Sequence, residues 1–351
     1  MTVFVLPGDV ADTTVPSGGN VFDLRMVQAL SPEVRAIRGT WPLPDEAART
    51  ELSTTLRNLP DGTVVLLDGL VACGVPEVVE PEAHRLRLVV LVHMLLADET
   101  GRAPEVAADL DAREARTLHA ASAVVTTSPW QARRLVHHHN LPADRVHAVV
   151  PGVDSAPLAT GMGGRLLCVA SVTPHKGQDV LAEALGQLTD LPWTCECVGS
   201  VTRDPGFVAD VRARIERLGL TDRMVLAGPK ADMNASYAQA DLLVLPSHGE
   251  TYGMVITEAL ARGVPVAVTA AQAGPETLGQ APDGSVPGML ITPDDPADLA
   301  SALRRFLTEP DFRQRLRAAA LARRTTLTSW DTTARQLATI LDQVAGAVCA
   351  A

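Results

Sequence analysis

The sequence predicts an α/β protein built from two similar units, each a parallel sheet covered by helices. Short apolar runs alternate with longer amphipathic stretches, as strands and helices do in such folds. The alternation stops in a segment rich in proline and glycine, residues 151–165, and then starts again. The chain has 351 residues, of which 46% are hydrophobic, enough for two packed cores. We therefore expect domains at residues 1–155 and 156–330, with a tail helix at about 331–351 packing elsewhere.

The individual elements follow from the spacing of the apolar residues. In the first unit, strands are expected at Val3–Leu6, Val64–Leu67, Leu86–Val92, Ala123–Thr126 and Val146–Val149, and helices at Phe22–Leu30, Val106–Ala121 and Trp130–Asn140. In the second, strands are expected at Leu166–Ser171, Trp193–Val198, Met224–Ala227, Leu242–Pro246, Pro265–Thr269 and Gly288–Ile291, and helices at Val180–Leu188, Gly206–Leu218, Met233–Ala238, Gly253–Arg262 and Ala297–Leu307. Trp330–Val348 has a helical period, and Gly161, Gly163 and Gly164 are interpreted as a flexible linker between the units.

The composition disfavours several classes of protein. Thirty basic against 41 acidic residues give a formal net charge of −11, and aromatic residues make up 3% of the chain, so a nucleic-acid partner is not expected. No window approaches 18 unbroken apolar residues, so no integral membrane segment is expected. Met1–Pro7 lacks the features of a signal peptide, and a cytoplasmic location is therefore expected. The oligomeric state stays open.

Metal and cofactor motifs are missing from the sequence. Cys195-x-Cys197 has no second Cys or His pair to complete a zinc site, and no Asp-x-Asp follows a strand. Neither a G-x-G-x-x-G after a strand nor a G-x-x-x-x-G-K-[ST] is present, which disfavours NAD-dependent enzymes and P-loop NTPases. We therefore expect no metal and no cofactor. The five cysteines lie mostly in apolar runs and are expected to be reduced and buried: Cys73, Cys168, Cys195, Cys197 and Cys349.

The segment 241–269 carries the most informative motif of the sequence. A buried strand ends at Pro246, a loop brings Glu250, and a helix begins near Gly253, with Glu258 in its second turn. Glu250 thus follows the carboxyl end of a strand, where open α/β sheets bind ligands. The amides of Gly253, Met254 and Val255 lie at the positive end of the helix and suit a diphosphate. Glu250 and Glu258 suit hydroxyl groups instead, those of a sugar and of a ribose.

This E-x₇-E region resembles that of retaining nucleotide-sugar glycosyltransferases of the family 4 type, the glycosyl transferases group 1, especially actinobacterial members. The resemblance implies the GT-B fold, in which two Rossmann-like domains face each other across a cleft. It further implies that the first domain binds the acceptor, that the second binds the nucleotide sugar, and that the C-terminal helix crosses back to the first domain. Thr251 and Tyr252, between the two glutamates, are expected to contact the donor.

Other segments resemble the same family. In LLCVASVTPHKGQDVLAEAL, which begins at Leu166, Lys176 occupies the position of a diphosphate-binding lysine and is one of two lysines in the chain. Ser171 stands where the family has an arginine, so diphosphate stabilisation must rest on Lys176, the helix amides and another arginine, for which Arg203 is the candidate. Gly199 and Lys230 follow two further strands of this unit, and the resemblance assigns them to nucleobase or donor contacts.

The first unit carries two more matches. Pro16 to Asn20 resembles the glycine-rich first loop of the family, with Gly18 and Gly19 allowing close approach to a phosphate or acceptor. His93 ends a strand and resembles the active-site histidine that contacts the transferred sugar. The run His137–His139 is interpreted as a solvated helix face, because adjacent helical residues point in different directions.

The resemblance implies transfer of a sugar from a nucleoside diphosphate, UDP or GDP, to an acceptor hydroxyl with retention of configuration and without a metal. His93, Lys176 and Glu250 are the expected catalytic residues. Two alternatives stay open: an epimerase of the same architecture, which needs no acceptor, and a weakly catalytic nucleotide-sugar-binding protein, suggested by Ser171. A glycan phosphorylase is disfavoured, because it needs a Schiff-base lysine and a longer chain.

Overall fold

The computed structural model describes residues 2–12, 17–99 and 101–346. The chain forms two compact units: unit 1 runs to Gly152 and includes the chain again from Ser329, whereas unit 2 is Val153–Thr328. Each unit holds one six-stranded sheet in which all neighbouring strands are parallel. The predicted α/β fold class with two parallel sheets is confirmed.

Unit 1 has the strand order β2-β1-β3-β4-β5-β6, so the order reverses between β1 and β3. Its strands are β1 (Thr2–Pro7), β2 (Glu33–Ile37), β3 (Val64–Asp68), β4 (Arg87–Val92), β5 (Ala123–Thr126) and β6 (Val146–Ala148). Its first six helices are α1 (Gly18–Leu30), α2 (Glu46–Arg57), α3 (Gly69–Cys73), α4 (Pro76–Val79), α5 (Pro104–Ala120) and α6 (Pro129–His138).

Alternate residues of the unit 1 strands pack into two different cores. Val3 and Val5 of β1 belong to one buried cluster, whereas Phe4 and Leu6 belong to the other. Since side chains of a strand point to opposite faces in turn, both faces of the sheet are covered. This is why the strands read as unbroken apolar runs in the sequence.

Unit 2 repeats the plan with the order β12-β11-β10-β7-β8-β9, so its order reverses between β7 and β10. Its strands are β7 (Arg165–Val169), β8 (Thr194–Val198), β9 (Met224–Gly228), β10 (Leu242–Leu245), β11 (Val266–Thr269) and β12 (Gly288–Ile291). Its helices are α7 (Gln178–Gly186), α8 (Pro205–Arg217), α9 (Asn234–Gln239), α10 (Met254–Leu260), α11 (Gly274–Leu278), α12 (Pro296–Thr308) and α13 (Pro310–Arg323).

The last described helix, α14 (Trp330–Gly346), belongs to unit 1. Leu337, Ile340 and Leu341 enter the same cluster as Phe22 of α1 and the strand residue Phe4. The prediction that the C-terminal helix returns to the first domain is therefore confirmed. The expected residues of this helix beyond 346, and Cys349 among them, lie outside the described residues. The other four cysteines are buried and free, as expected.

Several strands and helices of the structure were not expected from the sequence. β2 lies at the edge of the sheet, and three of its five residues are exposed, so it lacks the apolar pattern of the other strands. α2 is polar apart from a stripe of buried Ala48, Leu52 and Leu56. The short helices α3, α4 and α11 and the arginine-rich α13 were also not predicted. The three short helices have at most five residues, and α13 buries few of its side chains, so none of the four shows a clear helical period in the sequence.

The segment before β7 corrects the interpretation of Gly161, Gly163 and Gly164 as a flexible linker. The amide of Gly163 donates to Asp241 Oδ1 at 2.7 Å, and the amide of Arg165 donates to Oδ2 at 2.9 Å. A side chain at Gly161 would overlap the same carboxylate. Gly161 and Gly163 therefore let the backbone pass close to Asp241, and the hydrogen bonds fix the segment to unit 2.

Candidate functional site

The unit 2 site lies where the strand order reverses. β7 and β10 are neighbours in the centre of the sheet, although 72 residues of chain lie between the last residue of β7, Val169, and the first residue of β10, Leu242. Because parallel strands end at one edge, the loops after β7 and β10 meet there, and such a crevice is where α/β sheets bind ligands. Lys176 stands in the first loop and Glu250 in the second.

Lys176 and Glu250 form an ion pair across these two loops. Lys176 Nζ lies 2.6 Å from Glu250 Oε1, with the side chains 26% and 11% exposed, respectively. A half-buried pair of this kind is short enough to be a charge-assisted hydrogen bond and remains open to solvent on one side. Two of the three predicted catalytic residues are therefore in direct contact.

Two neighbours of Lys176 hold the same loops together. His175 Nε2 lies 2.8 Å from the carbonyl oxygen of Gly249, and burial, followed by the nearby Lys176, lowers the pKa of its ring. The ring is thus neutral, and its Nε2–H donates to that carbonyl. Gly177 adopts a φ of 66°, and a Cβ there would overlap the carbonyl oxygen of Pro246. A short 3₁₀ turn, Pro174–Lys176, is thereby fixed against the loop after β10.

Glu258 has a different partner from Glu250. It lies in α10 and accepts a hydrogen bond from the hydroxyl of Tyr237 in α9 at 2.7 Å. The Arg262 guanidinium stacks over the Tyr237 ring at 4.5 Å, and burial, together with Glu258, raises the pKa of this tyrosine. Glu258 is half-buried, so an oxygen can still meet a ligand hydroxyl.

The start of α10 matches the predicted strand-loop-helix pattern. Gly253 is its N-cap residue with a φ of 80°, and the helix runs for seven residues from Met254. Thr251 to Val255 are all half-buried, and burial is the main cause that raises the pKa of Tyr252 to about 12. Tyr252 is therefore a neutral phenol at physiological pH.

The remaining predicted donor residues occupy the loops after β7, β8 and β9. The backbone of Gly199 passes so close to Ala170 that a side chain would overlap its carbonyl, which keeps Ser171 beside the loop after β8. Arg203 is exposed in that loop. Lys230 donates to Glu196 at 2.5 Å and to Ser236 at 2.9 Å, so it is held at the side of the sheet by β8 and α9.

In unit 1, His93 directly follows β4 and lies in a cluster with two carboxylates. His93 Nε2 is 3.1 Å from Asp23 Oδ1 and 3.5 Å from Asp68 Oδ2. A Cβ on Gly19 would come within 3.1 Å of the imidazole, so α1 begins directly against the ring. Gly18 is the first residue of that helix, whose N-cap is Ser17. Pro16 lies outside the described residues.

This cluster has strongly altered protonation. Burial and the neighbouring Asp23 raise the pKa of Asp68 to about 8, although His93 opposes the shift. Burial lowers the pKa of His93, but the two facing carboxylates more than offset it and raise the value to about 9. His93 Nε2 lies within hydrogen-bond distance of Asp23 Oδ1, so its N–H donates to that carboxylate at 3.1 Å.

A second group of ionisable residues lies between α5 and α6 and corrects the interpretation of His137–His139. His138 is exposed and pairs with Asp111 at 2.6 Å, but His139 is buried and lies 3.1 Å from the buried Glu114. The ligand atoms of Asp111, His138 and His139 lie within 4.8 Å of one another, close enough to hold a metal ion. His139 joins two helices rather than facing solvent.

Asp23 and Asp68, the partners of His93, were not predicted as site residues. Asp23 reads as an ordinary polar residue of an amphipathic helix, and nothing in its spacing points to a histidine 70 residues further on. Asp68 offered a signal, because a charged residue there directly ends the buried run of β3. Tyr237 and Gln272 were not predicted either, because their contacts, with Glu258 and Gly249 respectively, join segments that are distant in the sequence.

Known proteins resemble this chain in sequence. Residues 163–309 match the family model described as "Glycosyl transferases group 1". A D-inositol 3-phosphate glycosyltransferase of Streptosporangium roseum is 33% identical over 293 residues, which cover 76% of this chain and 64% of that protein. The protein of the same name from Thermomonospora curvata is 35% identical over 267 residues, 68% of this chain and 60% of that protein. The chain thus spans less than two thirds of the length of these relatives.

Solved structures resemble it in fold. A crystal structure of Anabaena Alr3699/HepE in complex with UDP and glucose has a TM-score of 0.78 at 18% identity, covering 97% of this chain and 99% of that one. Sucrose-phosphate synthase from Thermosynechococcus elongatus has a TM-score of 0.79 at 19% identity, covering 98% and 99%. The two-domain α/β architecture expected from the sequence therefore matches that of GT-B glycosyltransferases. Among the described residues, no helix has the length and apolar character to cross a membrane.

Proposed function

We propose that this chain, which carries a glycosyl transferases group 1 domain at residues 163–309, transfers a sugar from a nucleoside diphosphate to an acceptor hydroxyl. The observation that supports this most directly is the Lys176–Glu250 pair at the strand-order reversal of unit 2. A cation and a carboxylate at one crevice are the two groups that a diphosphate and a sugar hydroxyl require.

In this proposal the donor separates the pair. The β-phosphate takes the place of Glu250 beside Lys176 Nζ, and Glu250 then accepts a hydrogen bond from a hydroxyl of the sugar. The ammonium stabilises the charge that develops on the leaving diphosphate, so the scheme needs no metal ion. Since the pair is already formed before the donor arrives, both side chains start close to the positions that they use.

We further propose that transfer proceeds with retention by attack on the front face of the sugar. The bond from the anomeric carbon to the phosphate oxygen breaks, and a bond to the acceptor oxygen forms on the same face. The acceptor's proton passes to an oxygen of the leaving β-phosphate. Glu250 donates no electron pair to the sugar in this scheme, because it remains bonded to a hydroxyl.

The comparisons suggest which substrates to try first. UDP-glucose is the first donor, since a structural neighbour is described in complex with UDP and glucose. Inositol phosphate is the first acceptor, since the curated relatives carry D-inositol 3-phosphate in their names. Its binding would fall to described segments at the carboxyl edge of unit 1, namely 9–12, 17–20, 68–74 and 94–99.

A nucleotide-sugar-binding protein with weak catalysis is the second candidate. It is favoured by Ser171, which places a neutral hydroxyl where the family has a diphosphate-binding arginine. Arg203, exposed in the adjacent loop, is the side chain that could compensate. An Arg203→Ala variant with undiminished donor affinity and turnover would exclude that compensation.

The test begins with thermal unfolding in the presence of UDP, GDP, ADP and dTDP, each with and without its sugar. A ligand at about 100 times its Kd adds about 2.7 kcal/mol of stability, which is readily measured. We expect a shift with UDP that is lost in Lys176→Met and kept in Arg304→Met, which removes an exposed cation paired with Asp190 at 2.8 Å. No shift with any nucleotide would overturn the proposal.

Product analysis then separates the candidates. A glycoside formed from UDP-glucose and an acceptor, with the donor's anomeric configuration, supports the retaining transferase. A changed sugar without acceptor indicates an epimerase, and tight donor binding without any product indicates a binding protein.

A further inference from the structure

Three ionisable side chains share one buried position at the carboxyl edge of unit 1. Asp23 lies in α1, Asp68 is the last residue of β3, and His93 directly follows β4. The side chains of Asp23 and Asp68 are 1% and 3% exposed, and that of His93 is 18% exposed. Both carboxylates face the same nitrogen, Nε2, within 3.5 Å.

The packing leaves the imidazole little freedom. Gly19 borders one side of the ring, and Phe22 lies edge-on to it with the ring centroids 5.6 Å apart. Asp68 is itself fixed, because its Oδ1 accepts a hydrogen bond from the amide of Leu70 at 2.6 Å and caps α3. Asp23 Oδ2 is buried and has no hydrogen-bond partner among the described residues. An oxygen in that position needs a proton or a donor.

Charge counting gives the number of protons that the cluster holds. With no added proton, the two carboxylates and the neutral imidazole carry a charge of about −2 in a site nearly closed to water, which is costly. One proton on His93 and one shared between the two carboxyl groups bring the total to zero. The groups facing the ring are Asp23 and Asp68; Glu114 of α5 faces Cys73 and His139 instead.

We propose that Asp23 and Asp68 are positioning residues that keep the His93 ring protonated on both nitrogens and fixed at the end of β4. His93 then acts as a hydrogen-bond donor and carries a positive charge, and it does not act as a base. Its role toward the transferred sugar rests on the proposed function, whereas its protonation does not. The raised pKa values of His93 and Asp68 agree with this arrangement.

Nuclear magnetic resonance of the ligand-free full chain tests the protonation directly. Histidine is labelled with ¹⁵N, and long-range proton–nitrogen spectra are recorded from about pH 6 to pH 10, because an imidazolium and a neutral ring differ clearly in their nitrogen shifts. The His93 signal is assigned by its loss in His93→Gln. We expect its titration midpoint at least about one pH unit above that of free histidine, a tenfold weaker acid.

Two variants test whether the two carboxylates raise the titration midpoint of His93. Asp23→Asn should lower the His93 midpoint by at least about one pH unit. Asp68→Asn should lower it as well, and it serves alone if Asp23→Asn does not fold, because the new amide oxygen can still accept from Leu70. Asp111→Asn is the matched control: it removes a carboxylate that pairs with His138 at 2.6 Å, and it should leave His93 unchanged.

The outcomes test the protonation of His93 separately from its role in sugar transfer. A wild-type His93 that titrates at or below the ordinary value, or a midpoint unmoved in a folded Asp23→Asn, overturns it whatever the transfer activity. In the transfer reaction, a donor role predicts a rate that is flat near neutral pH and falls as His93 loses its proton, whereas a rate that rises with the His93 titration overturns the donor role. Absence of any transfer with the expected titration would remove the proposed function alone.

Discussion

The carboxyl edges of the two sheets carry charged residues that differ in their exposure to solvent. In unit 2, a lysine and a glutamate face each other 2.6 Å apart and remain partly exposed. In unit 1, two buried carboxylates enclose a histidine that is mostly covered by α1. The unit 2 pair can be separated at small cost, since water and a ligand can replace each partner. The unit 1 cluster cannot, because opening it would leave charges in an apolar site. The carboxyl edge thus carries a partly exposed ion pair in unit 2 and a buried cluster in unit 1.

Removing the lysine should have the largest effect on rate and little effect on stability. Lys176→Met takes away the cation proposed to meet the leaving diphosphate, so we expect kcat to fall about a hundredfold to a thousandfold, which corresponds to about 3–4 kcal/mol. The melting temperature should change by no more than a few degrees, because both side chains keep some contact with solvent. Steady-state kinetics and thermal unfolding measure both, with Arg304→Met as the control. A loss of activity in proportion to a loss of folded protein would contradict the comparison.

Removing a carboxylate of the unit 1 cluster should instead affect stability more than rate. Asp68→Ala deletes the cap of α3 and one of the two partners of His93. We expect a loss of about 2–4 kcal/mol in the free energy of unfolding. Asp61→Ala, which removes an exposed carboxylate of the same unit, should cost less than about 0.5 kcal/mol. Denaturant unfolding distinguishes the two, and equal losses would show that burial does not set the cost.

Gly177 tests how tightly the two loops of unit 2 are joined. In Gly177→Ala the new Cβ meets the carbonyl oxygen of Pro246, and the residue must also keep a φ of 66°. We expect a cost of about 2–3 kcal/mol, together with weaker donor binding. Gly219→Ala is a close match, with a φ of 68° and nothing within 4 Å of the added Cβ, and should cost about 1 kcal/mol. If both variants lose the same amount, the loops have room to separate.

The pH dependence of unfolding should reflect unit 1 and not unit 2. The pKa of His93 is raised to about 9 and that of Asp68 to about 8, so the folded state binds more protons than the unfolded state between these values and the ordinary ones. Stability from His93 is complete below about pH 6.5 and is lost as the pH rises through 9, while Asp68 adds to the decline up to 8. We expect the melting temperature to fall by a few degrees between about pH 6 and 9. The fall should be shallower in Asp68→Asn; an identical slope in both proteins would argue against the cluster.

The sequence allowed Lys176, Glu250 and His93 to be predicted, but not their partners. Each lies directly after a strand or in a loop of recognisable composition, so local pattern was sufficient to place it at the carboxyl edge of a sheet, whereas its role stays a prediction. The pairing of Lys176 with Glu250 depends on β10 lying beside β7, which no local pattern contains. Asp23 was hidden for a similar reason, because a polar residue in a helix is usual and only the tertiary contact with His93 makes it special.

The fold class was predicted more completely than its boundaries and edges. The buried strands are recognisable in the sequence as apolar runs because both faces of each sheet are covered. β2, with its exposed charged residues, does not, since an edge strand needs fewer apolar side chains. The glycines before β7 were misinterpreted because their backbone is held by a carboxylate 76–80 residues away in the chain, and composition alone resembles that of a linker.

The return of α14 to unit 1 has a consequence for how the protein is made. Residues of α14, among them Leu337, Ile340 and Leu341, complete a core whose members outside this helix come from the first 150 residues. During synthesis, part of one face of the unit 1 sheet therefore stays uncovered until all of unit 2 has been translated. A nascent chain halted before Trp330 should present that apolar patch to chaperones or proteases, so unit 1 should become resistant to digestion only after α14 has been made.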